Sequence, residues 1–317
     1  MMLFSNRRTY LFFSFFILSI SSAFSHLFDH LKKAEGKSPI HQMQNIDFIY
    51  VINLDKRPEK FLQSSQALEK YGIYPYRFSA VNGWELPLTV VNDVGLKYEP
   101  WMTSLFATTY PFENKGVGVH ERMTKVGTAY FTYGMLKSHI GICLSHISVL
   151  QDAWDSGYET IWVMEDDIDI IRDPHLISTL ISQLDALVGK ENWDVLFTDQ
   201  NTKGADGEYV LALGAAERPD MDCSLKERYS EKYTMNKEIS ADFRAISARF
   251  GAYSMIIRRS GIRKLLDFAM GHQIFLPYDM DNYLAPGLRR YALTYDVVST
   301  LVGALSDNVK PGYLSQE

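Results

Sequence analysis

Cysteine is scarce in this chain of 317 residues: it has two, Cys143 and Cys223. They allow at most one disulfide and imply none, and their spacing matches no zinc site. Cys143 lies in an apolar stretch and reads as a small buried hydrophobe. Runs of lysine and arginine are also missing. With 32 Lys and Arg against 38 Asp and Glu, the formal net charge is −6. A face that grips a phosphate backbone is strongly basic, so nucleic acid is excluded as a partner. No glycine-rich phosphate loop ending in Lys-Ser/Thr occurs, and no Gly-x-Ser-x-Gly elbow. Asp167-Ile168-Asp169-Ile170-Ile171 lacks the threonine of an Asp-x-Asp-x-Thr phosphoaspartate site. There are no internal repeats, and the composition is that of neither a disordered nor a fibrous chain.

Long apolar runs are absent as well. The one from Tyr10 to Ile20 is short for a membrane span, but Arg7 and Arg8 precede it and Ser21-Ser22-Ala23-Phe24-Ser25 follows it. That order describes a secretory signal, with an uncleaved signal-anchor as the alternative. Residues 1–25 are therefore expected to act as a leader, which implies the secretory pathway or an extracytoplasmic location and allows membrane association through the N-terminus. Residues 26–45 are polar, contain Gly36 and Pro39, and read as a linker. Residues 46–317 are then one domain, long enough to bury a substantial core.

Within that domain strands and helices alternate. Phe48-Ile49-Tyr50-Val51-Ile52 is continuously apolar, as in a strand buried on both faces. Pro58 opens a helix through Tyr71, since proline suits a first helical turn. Tyr76 to Val81 predicts a second strand, closed by an Asn82-Gly83 turn. Residues 84–133 show no sustained period; they read either as an irregular segment over a site or as a helical insertion. From Lys137, Ile140, Cys143, Leu144, Ile147, Leu150 and Trp154 share one helical face. Thr160 to Met164 is another buried strand, followed by a helix from His175 to Val188 and a strand from Asp194 to Thr198. Residues 200–245 read as a polar loop. A strand at Ala252–Ile257 and a helix at Ser260–Phe268, with Ser260 as N-cap, complete the pattern. This is an α/β fold with a mixed, mostly parallel sheet and helices on both faces.

The strongest chemical signal is Glu165-Asp166-Asp167, at the carboxyl end of a buried strand, where open α/β sheets bind ligands. Adjacent carboxylates repel unless a cation or donors offset them. Mg²⁺ or Mn²⁺ suits such oxygen ligands and would bridge them to a diphosphate; the competing reading is a solvated acidic loop. His139 and His146 are seven apart on one helix, roughly 10 Å along its axis, too far to share one ion easily. Each reads equally as a structural histidine. Asn53 and Arg57 follow the first strand, where a guanidinium can pair with a phosphate or carboxylate or simply face water. Asp279 and Asp281 are candidates for a general base, or a helix-capping pair.

Several of these stretches also occur together in a known order. DFIYVINLDKR (Asp47 to Arg57), Gly141-x-x-x-Ser145-His146, the strand ending Glu165-Asp166-Asp167, Gly251-Ala252-Tyr253-Ser254-Met255-Ile256 and Pro277-Tyr278-Asp279 resemble the motifs of glycosyltransferase family 25. That group includes lipopolysaccharide and collagen β-galactosyltransferases, and the likeness covers roughly residues 46–300. It implies a GT-A-like α/β/α sandwich with a single nucleotide-sugar site. It further implies a UDP-sugar donor, often UDP-galactose, inversion at the anomeric carbon, and a glycan, lipopolysaccharide or glycoprotein acceptor. Carried over, Asn53, Arg57, Ser145, His146, Glu165 and Asp166 would contact the donor. Asp166 and Asp167 would hold the divalent ion, and Asp279 or Asp281 would be the base. The signal-like N-terminus is unlike the cytoplasmic bacterial members. Two other readings compete: a sugar- or nucleotide-binding protein without catalysis, and a metal-dependent phosphohydrolase using the same carboxylates.

Overall fold

The computed structural model describes residues 26–204, 206–221, 224–304 and 306–308. An eight-stranded sheet forms its centre. In chain order its strands are β1 (Phe48–Asn53), β2 (Tyr76–Ser79), β3 (Thr160–Glu165), β4 (Val195–Phe197), β5 (Asn236–Glu238), β6 (Phe243–Ile246), β7 (Ser254–Arg258) and β8 (Arg290–Leu293). Their spatial order is β5-β6-β8-β4-β7-β3-β1-β2. Following the pairings across the sheet, β7 and β6 run opposite to the other six strands. The expected mixed, mostly parallel sheet is therefore present.

Both faces of the sheet are covered, which explains why the central strands lack alternation. All six residues of β1 are buried. On one face lie helices α2 (Lys137–Asp155) and α4 (Arg259–His272), with Ile140, Leu144, Ile262 and Leu266 in a core that also takes Tyr50 and Val163. On the other lie α1 (Pro58–Glu69) and α3 (Leu176–Val188), whose Leu68, Ile177, Leu180 and Leu184 pack on Ile49, Val51 and Trp162. The result is a three-layer, GT-A-like α/β/α sandwich.

The tight contact between α2 and the loop after β2 depends on two glycines. A Cβ on Gly141 would stand 2.5 Å from the Gly83 nitrogen and 2.6 Å from the Val81 carbonyl oxygen. One on Gly83 would stand 2.0 Å from the Lys137 carbonyl oxygen. The backbones thus touch directly, and only glycine allows it.

Several sequence expectations need correction. Residues 84–133 are neither irregular nor simply helical. They hold the helix Leu88–Val94 and an antiparallel sheet of strands Leu96–Lys97, Phe106–Thr109, Val119–Arg122 and Ala129–Thr132. Residues 200–245 include the hairpin Thr202–Lys203 with Tyr209–Val210, two one-turn helices, and β5 with most of β6. Ser260 does not cap its helix; it lies inside the first turn and donates to Asp194 at 2.6 Å. The stretch read as a linker packs on the domain, with Leu27 buried and Lys37 paired to Asp152 at 2.9 Å. The stretch read as a leader, residues 1–25, and Cys223 lie outside the described residues. Among the described residues no helix is long and apolar enough to cross a membrane.

Candidate active site

β1 and β3 lie side by side in parallel, so the loops after both strands open on the same edge of the sheet. A cavity lies there, bounded by Lys60 from α1, Asn82, Gly83 and Trp84 from the loop after β2, and Ser138, Ser145 and His146 from α2. Glu165, Asp166 and Asp167 form its acidic wall, and Ser306, Asp307 and Asn308 cross it. Ser138 of the first turn of α2 lines this region, and the start of a helix favours anions.

The acidic turn is anchored through its main chain. Ser64 donates to the Asp166 carbonyl at 2.8 Å, and the Leu301 N–H to the Asp167 carbonyl at 2.7 Å. The Asp166 carboxylate accepts from Asn53 at 2.6 Å and has Lys60 Nζ 4.0 Å away. Burial raises its proton affinity, opposed by Asn53 and Lys60. Asp167 is only partly covered as a residue, yet its Oδ1 is sealed from solvent with no hydrogen-bond partner among the described residues. Burial, followed by the charges of Glu165 and Asp166, pushes its pKa up to about 7. The Glu165 carboxylate accepts from His146 Nε2 at 3.1 Å, and the buried His146 ring stacks on Tyr278 at 4.1 Å.

These residues fit a hard divalent cation. A sealed carboxylate oxygen without a donor, in a cluster of like charges, is what such an ion would satisfy. Among the described residues no group of three or more His, Cys, Asp or Glu side chains forms a metal-holding cluster. Mg²⁺-type sites are compatible with that, because they often use one or two carboxylates and leave the rest to water and phosphate.

A second cavity adjoins the first. It is lined by His139, Gly251, Ala252, Pro277, Tyr278, Asp279 and Met280, and it shares Ile142, Glu165 and Asn308 with its neighbour. Asp279 accepts the Gly251 N–H at 2.8 Å, and burial raises its proton affinity. His139 has its proton affinity lowered by burial, against the pull of Asp279.

The sequence-predicted residues therefore separate into groups. Ser145, His146, Glu165, Asp166 and Asp167 line the first cavity and Asp279 the second. Asp281 lines neither. Its carboxylate is turned inward against the fully buried Arg218, forming an ion pair. Asn53 and Arg57 also fail to line either cavity. Asn53 is a buried brace: it donates to Asp166 and to the Arg57 carbonyl, and accepts from Arg77 Nε at 2.7 Å. Arg57 forms ion pairs with Glu59 and Asp307. Ser145 is likewise bound to the fold, accepting from the Val81 N–H at 2.8 Å and donating to the Gly141 carbonyl at 2.7 Å. Sequence reasoning missed Lys60, Trp84, Ser138, Asp307 and Asn308. Lys60 sits in the first turn after the Asp47–Arg57 stretch and could have been suspected. The C-terminal pair reaches the site because Val298–Thr300 pairs with Ile168–Ile170, just beyond the acidic turn.

An α/β/α sandwich with an acidic strand end facing such a cavity suits ligand binding at the edge of the sheet. The comparisons assign the arrangement to a family. The profile described as "Glycosyltransferase family 25 (LPS biosynthesis protein)" matches residues 46–281, and the chain belongs to that family. It is 26% identical over 183 residues to a "Glycosyltransferase 25 family member" of Aedes aegypti, a match covering 58% of this chain and 26% of that protein. A Drosophila melanogaster protein of the same description is 23% identical over 170 residues, 54% of this chain and 23% of its own length. The match thus spans about a quarter of the length of these relatives.

Proposed function

We propose that this enzyme transfers a sugar, galactose in the first instance, from a UDP-sugar to a hydroxyl of a glycan, lipopolysaccharide or glycoprotein acceptor, with inversion and the help of Mn²⁺ or Mg²⁺. The observation that carries the proposal is the pair of adjoining cavities with Glu165 on their common wall. One has the acidic turn, Lys60 and the start of α2, which suit a diphosphate and its counter-ion. The other has Asp279, which suits an acceptor hydroxyl. Inversion requires attack opposite the leaving group, and two cavities meeting at a shared wall supply two such sides.

Asp167, with Asp166, would hold the divalent ion, whose charge would offset that of the departing diphosphate. Asn53 keeps the Asp166 carboxylate in place, and Lys60 adds positive charge at the phosphate side. Asp279 takes the proton from the acceptor hydroxyl as it attacks; its raised proton affinity makes it a better base than an exposed carboxylate. His146 orients Glu165, and the Tyr278 ring stacked on it fixes that orientation.

The test is UDP release from a panel of UDP-sugars, with Mn²⁺ and then with EDTA. Release from one donor that stops in EDTA supports the proposal and names the sugar. Undiminished release in EDTA overturns the metal assignment. Release of inorganic phosphate with no acceptor would instead favour hydrolysis, and no turnover with no metal-dependent UDP binding would favour a binding protein.

A further inference from the structure

A third cavity lies away from the two described above. Its walls are mainly apolar and aromatic, including Tyr233, Met235, Tyr283, Leu284 and Leu288, and Arg290 lies among them. Arg290 opens β8 and is 7% exposed. Its Nε and Nη1 are sealed from solvent and have no hydrogen-bond partner among the described residues. The Tyr283 ring centroid is 5.9 Å from the guanidinium carbon, a contact that cannot replace an oxygen acceptor. The acid whose charge reaches Arg290 is Asp194. Its carboxylate already takes Lys264 at 2.7 Å, Ser260 at 2.6 Å and the Arg289 N–H at 2.7 Å. Lys232 and Arg289, also on the cavity wall, are paired with Glu227 at 2.9 Å and with Asp194 at 3.3 Å.

A buried guanidinium without a carboxylate is costly, and folded proteins tolerate it where a ligand completes the pair. We infer that this cavity binds a ligand carrying a single carboxylate on a ring or apolar body, with Arg290 gripping the carboxylate and the tyrosine-rich walls covering the body. One guanidinium matches one carboxylate, charge for charge and fork to fork. A dianionic phosphate would leave charge unpaired in apolar surroundings. The place is distinct from the transfer site. Arg290 is in register with Val195, Val195 with Ile257 and Ile257 with Ile161. Glu165 lies four residues further along β3 and three strands across. At ~3.3 Å per residue and ~4.8 Å per strand, the two backbone positions are ~19 Å apart.

Two sources share this chemistry: a free organic acid, and an acidic sugar within a glycan. Thermal unfolding and titration calorimetry of the whole chain with benzoate, glucuronate, benzamide and inorganic phosphate separate them. We expect benzoate or glucuronate to raise Tm and to bind with a measurable Kd; preference for glucuronate identifies the sugar source, and preference for benzoate the free acid. Neutral benzamide and phosphate should do neither. R290M is close in length and apolar, so it should fold, hold or raise Tm without ligand, and bind the carboxylate roughly 10- to 100-fold more weakly. L288W, which fills the cavity from another wall, should abolish binding with Arg290 intact. The inference is overturned if neither carboxylate binds at 20 mM, if benzamide binds equally well, or if R290M binds like wild type. None of these readouts depends on the transfer reaction.

Discussion

Asp279 and Asp281 lie two residues apart on one short helix, yet their surroundings predict opposite phenotypes. Asp279 faces the second cavity, and its carboxylate accepts the Gly251 N–H. D279N preserves shape and can still accept that hydrogen bond, but it cannot take a proton. Loss of a general base costs roughly 10²–10⁴-fold in kcat. Burial raises the Asp279 pKa, so the folded state holds this proton more readily than the unfolded one. Its contribution to stability is complete below the ordinary carboxylate pKa and is lost as pH rises through the raised value. D279N removes that loss, so its Tm near neutral pH should equal or exceed that of wild type. Asp281, by contrast, neutralises Arg218, whose side chain is 0% exposed. D281N leaves Arg218 with Asp220 at 2.9 Å and the Gln273 carbonyl at 3.2 Å. The cost therefore falls below that of a fully orphaned buried charge, at about 2–3 kcal/mol. For a chain of this size that is a fall of about 3–5 °C in Tm. The assays are UDP release with acceptor, below the unfolding range, and thermal denaturation of both variants. A D281N enzyme with full stability and no turnover, beside a D279N enzyme with normal turnover, would refute the reasoning and exchange the two roles.

Three further outcomes are expected. N53A removes the donor that holds the Asp166 carboxylate, and should weaken Mn²⁺-dependent UDP binding roughly 10- to 100-fold, read by calorimetry. G141A should cost several kcal/mol or prevent folding, because its Cβ meets backbone on both the Gly83 and Val81 sides, whereas glycine-to-alanine changes in open helix interiors stabilise; denaturant midpoints check this. Without metal, Asp167 favours the folded state at low pH and loses that contribution as pH rises through about 7. Tm in EDTA should therefore decline from pH 5 to pH 8, Mn²⁺ should restore it most at pH 8, and D167N should flatten both effects.

How much of this was legible beforehand depended on range. β1, β3 and β7 were readable because continuous apolar runs record burial on both faces, a local signal. The acidic triplet was readable as a strand end for the same reason. The small sheet within residues 84–133 was not, because its short strands gain stability only from one another, through pairings such as Leu96 with Tyr130.

By itself, then, the sequence determined the alternation of strands and helices, the carboxylates at a sheet edge and the family. Only the tertiary structure decided which polar residue does what. On a helix, positions two apart point about 200° from each other, so Asp279 and Asp281 must face different neighbours, and one of those neighbours, Arg218, comes from 63 residues away. Asn53 became a brace rather than a lining residue because Asp166, 113 residues on, lies beside it just past the end of the next strand. Asp307 and Asn308 reached the site only through a strand pairing with residues 168–170. Charge and hydrogen-bond partners are set by proximity in space, and no local pattern of residues encodes that.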